Sequence, residues 1–338
     1  MTAIGLLTAG GDCPGLNAAI RAVTATTTAD GGRVVGFRNG WAGVMDDDAV
    51  ELDRDRVRGI IGRGGTILGT SRRDPYVHGE GAASISTTFE RHRLDTLIVV
   101  GGDGTLRTAA RLDAEGIPIV GIPTTIDNDV PGTDVSFGFD TAVEIATSAI
   151  DRLTTTAEAH NRVQLVEVMG RSHGWIAIHA GIAAGADVIL IPEVPMPLEE
   201  AAEVIRKRHE GGRNYSVVVV AEGIDVRRDD ELPSDEYGFA RLGGVCYTVA
   251  PALEELTGFE TRVTVLGHLQ RGGTPTARDR VLATRLGAAA VHSAQAGRRG
   301  VMVAVRGTAI VPVSMSEIGD EPRGVPRELY EVARTFFG

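Results

Sequence analysis

Aromatic residues and basic residues are both scarce in this chain of 338 residues. Aromatic side chains make up 4% of the sequence, so the chain has few of the rings on which single-stranded nucleic acid stacks. The net charge of −11 argues against a nucleic-acid partner and against an anionic membrane, because both require a basic surface. We therefore expect neither nucleic acid nor a membrane among its partners.

Cysteine and long apolar runs are also lacking. The two cysteines, Cys13 and Cys246, give neither a disulfide framework nor the spacing of a zinc site, which is typical of a reducing compartment. No apolar run approaches the length of about 18 residues that predicts a membrane span. The first residues do not resemble a signal sequence, since no basic segment precedes an apolar one. The sequence predicts a cytoplasmic protein.

What the chain does have is an alternation of short apolar runs with amphipathic stretches. Strands are predicted at Ala3–Thr8, Thr96–Val100, Pro118–Gly121, Val163–Val168, Val188–Ile191, Ser216–Ala221, Arg262–Leu266 and Val301–Val305. Helices are predicted at Leu16–Ala25, Thr105–Ala114, Phe139–Leu153, Leu198–Arg208 and Arg278–Ala294. Because the strand runs are almost continuously apolar, we expect sheets covered on both faces. The pattern predicts an α/β fold with mostly parallel, doubly wound sheets, and the length favours two lobes.

Two glycine loops follow predicted strands, where parallel α/β proteins bind their ligands. Gly101–Thr105 reads G-G-D-G-T; its glycines would let the backbone approach a phosphate, and Asp103 could hold Mg²⁺. Gly10–Gly15 follows the first strand and, taken alone, could equally be a plain turn. Together the loops predict a phosphate-donor site. They do not specify the acceptor, since NAD kinases and lipid kinases also carry the G-G-D-G-T run.

The segment Thr125–Asp129 places two carboxylates, Asp127 and Asp129, two residues apart, where an extended backbone projects both to one side. One carboxylate could accept a proton from an attacking hydroxyl while the other lies near a metal. In isolation the segment could equally be an Asx-type loop with solvated carboxylates. Its place beside G-G-D-G-T favours a phosphoryl-transfer centre.

Cationic residues accompany these loops in three groups, which are Arg72 with Arg73, Arg162 with Arg171, and Arg262 with His268 and Arg271. The guanidinium fork of arginine matches phosphate oxygens in a bidentate manner. Most other arginines are expected to be solvated surface residues. The turn His268–Arg271 is harder to explain in that way, because a predicted strand leads directly into it.

In combination these motifs resemble the bacterial 6-phosphofructokinases, in order along almost the whole chain. The matching positions are Gly10–Asp12, Arg72, Gly101–Thr105, Thr125–Asp129, Met169–Arg171, Glu222, Arg262 and His268–Arg271. The resemblance implies the phosphofructokinase fold of two Rossmann-like lobes. Residues 1–138 with about 270–305 would bind ATP and Mg²⁺, and residues 139–269 with about 306–338 would bind the sugar phosphate. It also implies transfer of the γ-phosphoryl group of ATP to the 1-hydroxyl of fructose 6-phosphate, a step of glycolysis.

The resemblance further implies a role for each matching residue. The catalytic residues would be Asp127 as general base, Arg72, Thr125 and Gly11. The donor would be bound by Gly11, Arg72, Arg73, Gly102, Asp103, Gly104 and Thr105, and Mg²⁺ by Asp103 and Asp129. The sugar phosphate would be bound by Thr125, Asp127, Arg162, Met169, Gly170, Arg171, Glu222, Arg262, His268 and Arg271. In that family the arginines matching Arg162 and Arg262 come from a neighbouring subunit, which implies a homo-oligomer, with a tetramer favoured and a dimer as the alternative.

The phosphoryl donor depends on two positions in that family. Pyrophosphate users typically carry aspartate at the position of Gly104 and lysine at that of Thr124, so this chain favours ATP. Pyrophosphate stays the alternative, because the stretch Asp225–Tyr247 is longer than in the best-known ATP-dependent members and resembles the subgroup that contains pyrophosphate-dependent enzymes. Thr124 matches neither pattern.

Other classes explain less of the sequence. An NAD kinase or a lipid kinase would account for Gly101–Thr105 but leaves Glu222 and His268–Arg271 unexplained. A nicotinamide-dependent oxidoreductase would need G-x-G-x-x-G after the first strand, which Gly10–Gly15 does not provide. Arginines of the family's effector site stand at Arg21, Arg54 and Arg213, whereas Ala25 and Thr154 replace two others. We therefore expect control by ADP or phosphoenolpyruvate to be weak or absent.

Overall fold

The computed structural model describes residues 2–77, 81–226, 242–317 and 321–338. The chain forms two compact units. The first comprises Met1–Thr141 and Arg271–Arg323, and the second comprises Ala142–Gln270 and Gly324–Gly338. The surface loop predicted around residues 225–244 lies mostly outside the described residues. Within the described ranges, no helix is both long enough and apolar enough to cross a bilayer.

The described elements alternate between strand and helix for most of the chain. The strands are β1 (Ala3–Ala9), β2 (Arg33–Phe37), β3 (Ala49–Leu52), β4 (Thr96–Gly101), β5 (Ile119–Thr125), β6 (Phe137–Gly138), β7 (Val163–Val168), β8 (Val188–Leu190), β9 (Ser216–Ala221), β10 (Thr261–Val265), β11 (Val301–Arg306) and β12 (Ala309–Ser314). The helices are α1 (Leu16–Ala29), α2 (Trp41–Met45), α3 (Gly81–Arg91), α4 (Asp103–Ala114), α5 (Phe139–His160), α6 (Trp175–Ala184), α7 (Leu198–Glu210), α8 (Cys246–Thr257), α9 (Ala277–Gln295) and α10 (Arg327–Arg334).

The sheet of the first unit has the order β12-β11-β5-β4-β1-β2-β3, with β6 beside β5. Its strands are parallel except β3 and β12, each of which pairs antiparallel with its neighbour. All residues of β1 and β4 are buried, which confirms that this sheet is covered on both faces. The chain runs from β1 outward to β3 and then returns to the other side of β1, so the topological switch lies between β1 and β4.

The sheet of the second unit is entirely parallel, with the order β10-β7-β9-β8. The segments Val163–Val168 and Ser216–Ala221 are strands with the predicted bounds, and every residue of both is buried. Helices α7 and α8 supply the apolar side chains that cover one face, among them Ala201, Ile205 and Leu253. The α/β fold with mostly parallel sheets is therefore confirmed.

The boundary between the two units differs from the prediction at one place. Residues 306–323 were expected in the second lobe, but they belong to the first unit. The physical reason is the antiparallel pairing of β12 with β11, in which Ala309 faces Arg306 and Ser314 faces Val301. The hairpin extends the first sheet at its edge and carries the chain onward to Arg323.

Candidate active site

Three functional loops leave the first sheet at the same edge. The strands β1, β4 and β5 are neighbours, with Ala9 in register with Gly101 and Gly101 in register with Pro123. The glycine loop Gly10–Gly15, the G-G-D-G-T loop and the segment Thr125–Asp129 therefore begin side by side. This edge includes the topological switch, where open α/β sheets bind their ligands.

Glycine is required by packing at one position of the G-G-D-G-T loop but not at another. A Cβ atom at Gly101 would lie 2.5 Å from Cβ of Thr105, so no side chain fits there. At Gly104, in the first turn of α4, no described atom lies within 4 Å of the position of a Cβ. Gly104 therefore leaves a space open beside the amino end of a helix, where unbonded amides favour phosphate.

Asp103 begins α4 and presents one carboxylate oxygen suited to a metal. Its Oδ2 atom accepts a hydrogen bond from Nε of Arg107 at 2.8 Å. Its Oδ1 atom is buried and accepts no hydrogen bond from any described residue. Within the described ranges, no three carboxylate, imidazole or thiol side chains cluster around a possible metal. Mg²⁺ fits such a site, because it commonly takes one or two carboxylates and fills its other positions with water and phosphate oxygens.

The Thr125–Asp129 segment is a loop with internal hydrogen bonds and a buried carboxylate. Asp127 is 3% exposed, and its backbone N–H donates to Oγ1 of Thr125 at 3.0 Å. Asn128 has a left-handed backbone with φ of 54°, which asparagine tolerates better than most residues. Its Oδ1 accepts from the N–H of Ser136 at 3.1 Å, and the Ser136 hydroxyl donates to the Thr125 carbonyl at 2.9 Å. These bonds hold Asp127 in place without any ligand.

The segment carrying Arg72 and Arg73 runs beside the first glycine loop. The N–H of Gly10 donates to the Ser71 carbonyl at 3.2 Å, and the Thr70 hydroxyl donates to the Gly10 carbonyl at 2.7 Å. Arg72 is exposed, so its side chain is accessible to a ligand from solution. Arg73 is also exposed and forms an ion pair with Asp46 at 2.7 Å. This arrangement is consistent with the prediction that both arginines lie near the donor loops.

Arg271 also lies against the first glycine loop. Its Nη1 atom donates to the Asp12 carbonyl at 3.2 Å, and a Cβ at Gly11 would lie 2.8 Å from the same nitrogen. The absence of a side chain at Gly11 therefore leaves room for the Arg271 guanidinium. Sequence analysis assigned Arg271 to the sugar phosphate alone and gave no sign of this contact with the loop.

Thr124, the second donor-preference position, faces the interior. Its side chain is buried, its hydroxyl donates to the Phe137 carbonyl at 3.1 Å, and its Oγ1 lies 2.7 Å from Sγ of Cys13. Either group can donate in the contact between Thr124 and Cys13, and the Cys13 thiol also lies within 3.7 Å of the Phe137 carbonyl. Burial raises the pKa of Cys13 to about 12, so it stays a neutral thiol.

In the second unit, Glu222 fixes the loop that follows β7. It is buried, and its Oε1 atom accepts hydrogen bonds from the N–H groups of Gly170 at 3.2 Å and Arg171 at 2.9 Å. The Arg171 backbone is left-handed, with φ of 52°, and the two bonds stabilise that conformation. Met169 is buried at the start of the loop. His268 is exposed in the turn after β10, and β10 is the neighbour of β7, so His268 belongs to the same edge of the second sheet.

Arg162 and Arg262 lie at the opposite edge of that sheet. Arg162 precedes β7 and Arg262 is the second residue of β10, so Arg162 lies about 20 Å and Arg262 about 10 Å from the carboxyl ends of their strands. Nε of Arg162 binds Glu260 at 2.8 Å, and Arg262 binds the same carboxylate. The Arg162 hydrogen bond holds the pKa of Glu260 below its usual value. Within one chain, the structure does not bring these two arginines to Met169 and Glu222. Sequence analysis did not identify Glu260.

Glycine loops, buried carboxylates and nearby cations at the ends of parallel strands define a phosphoryl-transfer enzyme of the doubly wound α/β class. The family model described as phosphofructokinase matches residues 3–294. The chain therefore belongs to the phosphofructokinase family. Its relatives support an enzyme that phosphorylates fructose 6-phosphate, as a transferase of glycolysis.

Similar proteins carry names for two different donors. A pyrophosphate–fructose 6-phosphate 1-phosphotransferase of Amycolatopsis methanolica is 51% identical, covering 99% of each chain. The ATP-dependent 6-phosphofructokinase 3 of Streptomyces coelicolor is 49% identical, covering 98% of each chain. Among solved structures, phosphofructokinase of Saccharomyces cerevisiae is 32% identical with a TM-score of 0.82; the match covers 99% of this chain and 46% of the yeast chain. These likenesses establish the acceptor class and leave the donor open.

Proposed function

We propose that this chain transfers the γ-phosphoryl group of ATP to the 1-hydroxyl of fructose 6-phosphate, with Mg²⁺. Transfer from pyrophosphate is the alternative, since relatives of nearly equal identity are named for each donor. The observation that carries the choice of ATP is the open space at Gly104.

The described packing and backbone do not require glycine at Gly104. No described atom would meet a side chain there, and its φ lies outside the left-handed region that favours glycine. A carboxylate at this position would project beside the amino end of α4 and would repel the α-phosphate of a nucleotide. Thr124 supplies no cation for pyrophosphate, because its side chain is neutral, buried and bonded to Cys13 and Phe137. Both features favour ATP.

Phosphoryl transfer needs positioning and charge neutralisation more than covalent chemistry. Asp127 would accept the proton of the attacking hydroxyl, and Thr125 would bind next to the transferring group. Arg72 would neutralise charge that develops on the phosphoryl oxygens, and the backbone of Gly11, Gly102, Gly104 and Thr105, with Arg73, would bind the donor. Asp103 and Asp129 would hold Mg²⁺, which when bound supplies further neutralisation of the phosphate charge. The hydrogen-bonded loop around Asp127 supports its assignment as the base.

The second unit would bind most of the sugar phosphate. Met169, Gly170, Arg171 and Glu222 would hold the sugar, and His268 with Arg271 would hold its 6-phosphate. Arg162 and Arg262 would serve the site of a neighbouring copy in a homo-oligomer, with a tetramer favoured and a dimer as the alternative. Their place at the amino ends of β7 and β10, remote from Glu222 in the same sheet, supports that division.

A steady-state assay of the purified chain tests the donor. Fructose 6-phosphate and Mg²⁺ are supplied with either ATP or pyrophosphate, and formation of fructose 1,6-bisphosphate is followed through aldolase. We expect kcat/KM for ATP to exceed that for pyrophosphate by at least about tenfold, a difference of roughly 1.4 kcal/mol in transition-state binding. A higher value for pyrophosphate would reverse the assignment of the donor. Turnover of another sugar phosphate in preference to fructose 6-phosphate would reverse that of the acceptor.

A further inference from the structure

Arg323, the last residue of the first unit, is bonded twice to the loop that carries Asp127 and Asp129. Its Nη2 atom donates to the Asn128 carbonyl at 3.0 Å. Its backbone N–H donates to the Asp129 carbonyl at 2.8 Å. The two residues of the side-chain bond are 195 positions apart, so the fold alone brings this arginine to the loop.

The loop depends on such support because its backbone leaves regular structure at this point. Asn128 is left-handed and 4% exposed, so its carbonyl is largely removed from water and needs a donor from the protein. The Asn128 side chain is already engaged with the N–H of Ser136. Arg323 supplies the donors for two consecutive carbonyls, directly after the residue assigned as the base.

Arg323 is itself half-buried, so its side chain lies against the protein as well as being bonded to the loop.

We propose that Arg323 is a positioning residue for phosphoryl transfer: it fixes Asn128 and Asp129 so that the carboxylates of Asp127 and Asp129 keep the arrangement that transfer requires. This inference rests on the proposed function of that loop. Arg323 acts through the loop and not through contact with a substrate. Its segment contains no motif, so sequence analysis did not identify it.

Side-chain variants test the guanidinium by itself, because the backbone bond to Asp129 survives them. Arg323→Gln keeps a hydrogen-bond donor and removes the charge. Arg323→Lys keeps the charge on a shorter side chain. Arg299→Gln is the matched control. Arg299 belongs to the same unit, donates to the Asp113 carbonyl at 2.9 Å and forms an ion pair with the Asp113 carboxylate at 3.6 Å, away from the loop.

Two readouts separate positioning from general stability. In the fructose 6-phosphate assay, we expect Arg323→Gln to lower kcat by about 10- to 100-fold, the range for small misplacements of catalytic groups, with both KM values changed by less than about threefold. Arg323→Lys should recover part of that loss, and Arg299→Gln should match the wild type. In the ligand-free protein, hydrogen exchange of the Asp127 and Ser136 amides should accelerate in Arg323→Gln and stay unchanged in Arg299→Gln.

The outcomes that overturn the proposal are distinct. Unchanged kcat and unchanged exchange in Arg323→Gln would show that the guanidinium does not position the loop. A lower melting temperature with faster exchange throughout β1, β4 and β5 would show a structural role only. If the wild type does not phosphorylate fructose 6-phosphate, the proposed function fails; the exchange experiment still decides whether Arg323 holds the loop.

Discussion

Replacing Gly104 by aspartate adds a carboxylate to the first turn of α4, at the position whose openness favours ATP. The substitution is compatible with the fold, because no described atom lies within 4 Å of the new Cβ. An acidic residue in the first turn of a helix is favourable, and any residue except proline is a better helix former than glycine. We therefore expect the melting temperature to stay equal or to rise, while use of ATP falls.

The size of the loss follows from electrostatics. For an assumed separation of roughly 5 Å between an aspartate charge at Gly104 and the α-phosphate of a nucleotide at this helix end, Coulomb's law gives the repulsion. At that separation the repulsion is about 3 kcal/mol for an effective dielectric constant near 20 and about 0.8 kcal/mol in bulk water. Gly104 is exposed, so the true value lies between these limits. The corresponding loss in kcat/KM for ATP is about 4- to 150-fold.

Two variants separate charge from volume and from general effects. Gly104→Asn has nearly the same size without the charge, and should lose much less. Ala114→Asp adds the same charge at the exposed far end of α4, about 15 Å away, and should leave ATP use unchanged. The measurements are kcat/KM for ATP and for pyrophosphate at two salt concentrations, since screening should reduce the effect of Gly104→Asp.

An unchanged ratio of ATP to pyrophosphate use in Gly104→Asp would refute the reasoning. Equal losses in Gly104→Asp and Gly104→Asn would refute the electrostatic part alone, and would leave occupied space as the cause. A large fall in melting temperature would show that Gly104 serves the fold, contrary to the open space around it.

Three further outcomes can be stated for the same protein. Asp127→Ser should lower kcat by about 10²- to 10⁴-fold with fructose 6-phosphate binding kept, and near wild-type turnover would contradict its role as base. Cys13 and Cys246 are buried, and burial raises the pKa of both thiols, that of Cys13 to about 12. A thiol reagent at pH 8 should therefore label neither cysteine until the chain is unfolded. Rapid labelling of the native protein would contradict their burial. ADP and phosphoenolpyruvate should change the saturation curve for fructose 6-phosphate little. Ala25 and Thr154 replace two arginines of the family's effector site, and each replacement removes an expected contact worth about 1.5–3 kcal/mol. A sigmoidal curve that ADP renders hyperbolic would contradict this expectation.

Most strands that are buried on both faces were predictable from sequence, although β2 was missed. The runs that became β7 and β9 are rich in valine, and their limits were right to the residue. The edge strand β12 was missed because it is half-exposed and contains Pro312, which sheets accept only at an edge. Helix α6 was missed because it is apolar all round, so no periodic contrast marks it. Helix α8 was missed because it contains Pro251, a residue that usually marks the end of a helix.

The loops of the site were predictable because parallel strands place their carboxyl ends together, which is a property of the fold class. The contacts that hold those loops were not, because their partners are distant in sequence. Cys13 reaches Thr124 across 111 positions, and Arg162 reaches Glu260 across 98. Local patterns contain no information on such pairs, which arise only when the units have folded.

The two donor-preference positions differ in how freely they can change. Gly104 is exposed with open space around it, so a substitution there alters the ligand site and leaves the packing intact. Thr124 is buried between Cys13 and Phe137, so a lysine there would either bury an ammonium group beside a neutral thiol or break both hydrogen bonds. Donor preference in this chain should therefore respond to a single change at position 104. A change at position 124 should succeed only together with one at Cys13, because the space for a lysine stem has to be made first.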